Sequence, residues 1–211
     1  MADDNVIRYT MIGVFIAILP FGLYFRIRSC TSEKLDRWQE GPFILFGLRI
    51  GAIPIFVGWI AWMIDPQWMA WSSLPIPSWL RWVGLAVLMC VGILIIWTFR
   101  SLRGNLTDTV VTRRDHFLVT TGPYRYVRHP FYLSFALVVL AGSMVAANWF
   151  ILLAGVIPFA FIVARTRIEE EKLVERFGDE YQDYMRRVGR YVPRLRGSNS
   201  PRNTSVNQSG G

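Results

Sequence analysis

Eleven residues, Gly122-Pro-Tyr-Arg-Tyr-Val-Arg-His-Pro-Phe-Tyr132, hold two arginines, one histidine and three tyrosines, then run into an apolar stretch from Leu133 to Ala147. Ionisable groups entering a bilayer need partners and are functional candidates by default. Further along, Arg165-Thr-Arg-Ile-Glu-Glu-Glu171 closes another apolar run. A glutamate there could bind an ammonium group, and Arg165 could hold a carboxylate in a two-pronged fork. Arg165 with Glu169, and Arg167 with Glu171, are also spaced i, i+4. Spacing alone therefore equally allows a solvated helix face. Function is expected where the two clusters meet.

Pro130 restricts His129 to an extended conformation and suits the first turn of a helix. The resulting helix N-terminus offers free N–H groups and a positive dipole, which suit a carboxylate. A single histidine can equally be structural. Tyr124, Tyr126 and Tyr132 could stack on an aromatic base or anchor the membrane interface. Cys30 and Cys90 are far apart and show no metal spacing or disulfide framework. No glycine-rich phosphate loop or nucleophilic triad emerges.

The elements that must hold these clusters are membrane helices. The chain is 53% hydrophobic and 18% charged, against roughly a quarter charged in soluble domains. Nine tryptophans suit membrane–water interfaces. Stretches near the roughly 20 residues a span requires run from Tyr9 to Phe25, Phe43 to Ile64 and Trp79 to Phe99. Two shorter ones, Phe131 to Ala147 and Trp149 to Ala164, read as a tight hairpin about Asn148. The expected fold class is all-α, a polytopic membrane helix bundle of about five spans, with four as the alternative if one hairpin arm is re-entrant. The acidic start, Met-Ala-Asp-Asp-Asn, lacks the positive region of a secretory signal, so the first span is expected to be uncleaved.

Charge orients the bundle. Residues 26–42, 100–130 and the region from Arg165 onward hold 20 of the 23 basic residues, all in loops of one side. Residues 65–78 and the hairpin tip hold none. The positive-inside rule makes the basic side cytoplasmic, with the N-terminus outside and the C-terminus inside, which requires an odd number of spans. The net charge of +8 is then a topology signal and an attraction to anionic lipid headgroups, not a nucleic-acid footprint. Arg49, within the second span, either snorkels to that face or meets an acidic acceptor. The Asn105-Leu-Thr107 glycosylation sequon falls on the cytoplasmic side and is discounted.

Residues 1–99 are expected to form three N-terminal spans, and 100–196 the functional core with its hairpin. In that core, helix is expected from Arg165 to Phe177, with a stop at Gly178, then from Asp179 to Arg187, where Tyr181 and Tyr184 share a face. Residues 197–211, rich in Ser, Asn and Gly, read as a disordered tail.

Thr120-Thr-Gly-Pro-Tyr-Arg-Tyr-Val-Arg-His-Pro-Phe-Tyr132 resembles the signature of the integral-membrane isoprenylcysteine carboxyl methyltransferases and their phospholipid methyltransferase relatives. Arg165 to Glu171, Phe177-Gly-Asp-Glu-Tyr181 with Tyr184, and Val188 to Pro193 resemble that family's C-terminal pattern. The resemblance spans roughly residues 100–195. It implies S-adenosylmethionine as methyl donor and a lipid-like acceptor entering from the bilayer. It places Tyr124, Arg128, His129 and Tyr132 at the cofactor, with Glu169 and Glu170 as the acidic pair and Arg165 at the acceptor. Glu170 and Arg165 are the implied catalytic residues, and no metal is implied. With three consecutive glutamates, the pair Glu170 and Glu171 stays open. The five-span size fits the smaller prokaryotic members, so the plasma membrane of a prokaryote is the expected location.

The motif leaves the acceptor open. A prenylcysteine-like carboxylate is the expected acceptor, with a phospholipid or a small amine or thiol as the alternative. NADPH-dependent sterol reductases also carry an Arg-His-Pro-x-Tyr element, and a non-enzymatic lipid-binding protein is a third reading. The paired glutamates favour methyl transfer. Oligomeric state is not readable.

Overall fold

The structure, a computed structural model, describes residues 2–29, 42–102 and 118–194. Cys30, Lys34, Arg37, Arg103, the Asn105 sequon, Arg113, Arg114, His116 and the 197–211 tail lie outside the described residues.

Six helices follow one another: α1 (Ala2–Ser29), α2 (Pro42–Ile64), α3 (Ser78–Leu102), α4 (Pro130–Ala146), α5 (Trp149–Phe177) and α6 (Asp179–Arg187). Segments within α1, α2, α3 and α5 are long and apolar enough to cross a membrane, and α4 is a shorter apolar helix. Seventeen residues give α4 a length of about 25 Å at 1.5 Å per residue. Ile53, Phe56, Ile60, Ile93, Leu153 and Val156 are each at least half exposed. Apolar side chains facing outward along apolar helices are what a lipid solvent demands.

α3 packs on α4, α2 on α5, and α4 on α5, with α1 against α3. The main core joins Ile7, Met11, Trp59, Trp62, Leu85, Val145 and Ile151. Gly84 lets α3 approach α4 closely, since a Cβ there would lie 2.9 Å from the carbonyl oxygen of Ala141. Small residues allow such backbone approach in membrane bundles.

The hairpin turns where the sequence expects. Ala147 adopts a left-handed conformation at φ 50°, and the Asn148 side chain accepts from the Ile151 N–H to cap α5. Asn148 also donates to the Met69 carbonyl at 3.2 Å and the Ser72 hydroxyl at 2.7 Å. These bonds tie the tip to a short 3-10 stretch, Pro66–Ser72.

Two helices extend beyond their expected ends. α1 begins at Ala2 rather than near Tyr9, and Asp4 forms an ion pair with Arg81 of α3. The last apolar span and the charged helix after it are one continuous rod, α5, whose 29 residues extend about 43 Å. Gly178, at φ 53°, ends it, a conformation glycine adopts without steric cost.

Candidate active site

The 3-10 turn Gly122–Arg125 and the Arg-His-Pro entry to α4 lie at the end of the bundle where α5 becomes charged. His129 is the N-cap of α4, and Pro130 occupies its first turn as the sequence predicts. This geometry sends Arg128, His129 and Tyr132 toward one face of α5.

Glu170 receives them. Its residue is 3% exposed. Arg128 donates from Nε to Glu170 Oε1 at 2.9 Å, and its Nη2 lies 2.9 Å from the same oxygen. His129 Nε2 lies 3.1 Å from that oxygen as well. Arg190 pairs with the other oxygen, Oε2. A buried carboxylate is tolerable only when paired and hydrogen-bonded, and three basic side chains supply that here.

Glu169 is placed differently. Its side chain is 29% exposed, and Tyr132 donates to Oε2 at 2.7 Å. His129 Nδ1 is 3.9 Å from that oxygen. The His129 and Tyr132 rings stack, with centroids 5.3 Å apart and planes within 5°. Burial first, and then the Glu169 charge, hold the Tyr124 phenol well above its ordinary pKa. Glu171 points away, with its side chain 66% exposed and 3.6 Å from Arg167. The helix therefore turns Glu169 and Glu170, not Glu171, toward the Arg-His segment. Arg165 precedes Glu169 by one helical turn and is partly buried.

The C-terminal segment completes the cluster. Residues after α6 return along the entry of α4, with Arg128 N–H donating to Gly189 O at 2.9 Å and His129 N–H to Arg190 O at 3.1 Å. Arg128 Nη1 also donates to the Met185 carbonyl at 3.0 Å and the Val188 carbonyl at 2.5 Å. Tyr184 donates to the Tyr124 carbonyl at 2.6 Å. Burial raises the Tyr184 and Tyr181 pKa values, which keeps Tyr184 a donor. The Tyr191 hydroxyl is 2.7 Å from that of Thr166.

All seven residues singled out from the sequence fall on the two segments that meet here. Sequence reasoning missed Arg190 and Tyr191. They lie within the Val188–Pro193 stretch of the family pattern, but only the returning chain brings them to α5. Arg49 is exposed on α2. Among the described residues, no group of three or more metal-ligating side chains occurs.

Fold and site together define a polytopic helical membrane protein with a sealed basic–acidic cluster at one end. Residues 82–175 match the model of the isoprenylcysteine carboxyl methyltransferase (ICMT) family. The chain is 31% identical over 166 residues to a protein-S-isoprenylcysteine O-methyltransferase of Dictyostelium discoideum, covering 77% of this chain and 65% of that one. It is 40% identical over 81 residues to the Schizosaccharomyces pombe protein of the same name, covering 38% and 34%. It is also 30% identical to methanethiol S-methyltransferase 2 of Bradyrhizobium diazoefficiens, covering 59% and 53%. The chain thus spans about a third to two thirds of the length of these curated relatives. The solved eukaryotic intramembrane Ras methyltransferase ICMT shares the fold, with a TM-score of 0.51 at 24% identity over 76% of this chain and 54% of that one. Residues 82–175 are thus similar to the isoprenylcysteine carboxyl methyltransferase family.

Proposed function

We propose that this chain transfers a methyl group from S-adenosylmethionine to a lipid-like acceptor in the bilayer, with the carboxylate of a prenylcysteine-like molecule as the favoured acceptor. The observation that carries this reading is the meeting of Arg128, His129 and Tyr132 with Glu169 and Glu170 in one buried cluster. The names of the relatives support the reaction class.

S-adenosylmethionine, when bound, supplies an electrophilic methyl group on a sulfonium. The donor set fits such a molecule. Glu169 has Tyr132 on one oxygen and is partly open, so it can receive an ammonium group. Tyr124 and Tyr132 flank it, and His129 stacks on Tyr132. Glu170 is saturated by Arg128, His129 and Arg190, so it holds those groups in place and keeps the site's geometry fixed. Arg165 binds the acceptor carboxylate in a bidentate fork. A carboxylate acceptor needs no base, so the protein's work is positioning and exclusion of water. The basic sequence regions support a cytoplasmic placement for this end, against anionic headgroups.

The similarity to a methanethiol S-methyltransferase favours a second reading, a small thiol acceptor. A thiol must lose its proton, and His129 would then be the candidate base. Membranes containing the protein, given methyl-labelled S-adenosylmethionine and a farnesylcysteine analogue, separate the two. Release of the label by mild alkali identifies a methyl ester. Alkali-stable label on a thiol substrate supports the thioether product instead, and no labelled product with either sinks both.

A further inference from the structure

A second polar site lies at the opposite end of the bundle. α5 carries Asn148 at its start and Glu170 near its end, a separation of about 33 Å along the helix. Beside Asn148 is a cavity of about 540 Å³ lined by Asp4, Asn5, Arg8, Asp65, Gln67 and Arg81, among others. The Pro66–Ser72 stretch and the α4–α5 turn form part of its wall, and it opens to the surface.

Its charges are unusual for their place. Of the 23 basic residues, 20 lie in the sequence regions 26–42, 100–130 and from 165 onward, and Arg49 lies near the start of α2. The remaining two, Arg8 and Arg81, both line this cavity. Arg81 is accounted for by structure. It is 8% exposed, pairs with Asp4 and donates to the Val145 carbonyl at 2.9 Å, tying α1, α3 and α4 together. Arg8 is not. Its Nε is buried without an acceptor among the described residues, while its Nη2 donates to the neighbouring Tyr9 hydroxyl at 3.0 Å and its guanidinium lies 4.9 Å from the centre of the Tyr9 ring. Asp65 accepts the Gln67 N–H at 2.9 Å, and no ion pair of Asp65 occurs among the described residues.

One cavity therefore holds a cation whose buried Nε lacks an acceptor among the described residues and a carboxylate with acceptor capacity left. A buried guanidinium N–H without an acceptor is expensive. We propose that this cavity binds a phosphate-plus-ammonium group, the phosphoethanolamine moiety, with the phosphate on Arg8 and the ammonium on Asp65. Arg8 presents a planar donor set that suits phosphate. Asp65 has acceptor capacity left for a primary ammonium, whereas a trimethylammonium has no N–H to donate. The moiety can come from a phosphatidylethanolamine headgroup or from soluble glycerophosphoethanolamine. The proposal does not rest on the methyl-transfer reading.

Native mass spectrometry of the full-length protein, released from detergent with added lipid, tests it. One molecule of dioleoyl phosphatidylethanolamine is expected to stay bound, at least tenfold more tightly than dioleoyl phosphatidylcholine or phosphatidic acid. Arg8→Gln is expected to lose that advantage, and Arg8→Lys to lose part of it. Asp65→Asn keeps an oxygen for the Gln67 N–H and should bind phosphatidylethanolamine no better than phosphatidic acid. Circular dichroism checks that each variant keeps its helix content. Competition by glycerophosphoethanolamine assigns recognition to the headgroup alone, and retention of the lipid against it assigns the lipid as the ligand. Equal binding of all three lipids, or unchanged preference in both Arg8→Gln and Asp65→Asn, overturns the proposal.

Discussion

Arg128 and Glu170 stand 42 positions apart in the chain, yet two nitrogens of the one guanidinium lie 2.9 Å from a single carboxylate oxygen of the other. Both are buried. The pair welds the entry of α4 to the charged end of α5.

Glu170→Gln removes a charge that offsets Arg128 and Arg190. Breaking one side of a buried pair typically costs about 3–5 kcal/mol. We expect a lower unfolding temperature in detergent and loss of methyl transfer. Unchanged stability and turnover would show that the cluster is not the organising centre.

Tyr132→Phe deletes the 2.7 Å hydrogen bond to Glu169 while preserving the ring stacked on His129. A hydrogen bond to a charged group contributes about 1.5–3 kcal/mol. Thermal unfolding should shift downward accordingly, and calorimetric titration with S-adenosylhomocysteine should show binding weakened by roughly tenfold or more.

Arg190 should act as a positioning residue through Glu170. Arg190→Ala is expected to lower turnover, and Arg190→Lys to recover part of it by restoring charge without the planar fork. A role confined to folding predicts instead that melting temperature and turnover fall together in both variants.

Glu171→Gln tests the register of the acidic pair. Glu171 is exposed and bonded only to exposed Arg167 at i, i+4, a contact worth at most about 0.5 kcal/mol. Turnover should stay within about twofold of the parent. A loss matching that of Glu170→Gln would move the pair to Glu170 and Glu171.

Gly84→Leu forces a side chain against the Ala141 backbone. Overpacking of this kind costs about 1–3 kcal/mol. Thermal unfolding should shift downward, while binding of S-adenosylhomocysteine by the folded fraction stays intact, because Gly84 lies near the far end of α3 from the Gly122 turn.

The helical architecture was readable because apolar length and loop charge are local properties. The hairpin at Asn148 and the break at Gly178 carry their own signals, a capping side chain and a residue at positive φ. The two dense motifs were readable as types and spacing, and three consecutive glutamates left their facing undecided until α5 fixed its rotation. Arg190 was not readable, because its partner is set by a chain reversal after α6 rather than by any period. The start of α1 was missed because Asp4 and Arg8 look like solvent residues until Arg81 and the cavity beside it are in place.

The bond from His129 N–H to the Arg190 carbonyl has a consequence for synthesis in the cell. Every described helix precedes residue 190 in the chain, so the spans can be inserted while the cluster still lacks one wall. The cluster is then completed late, because the Arg190 wall follows every described helix in the chain.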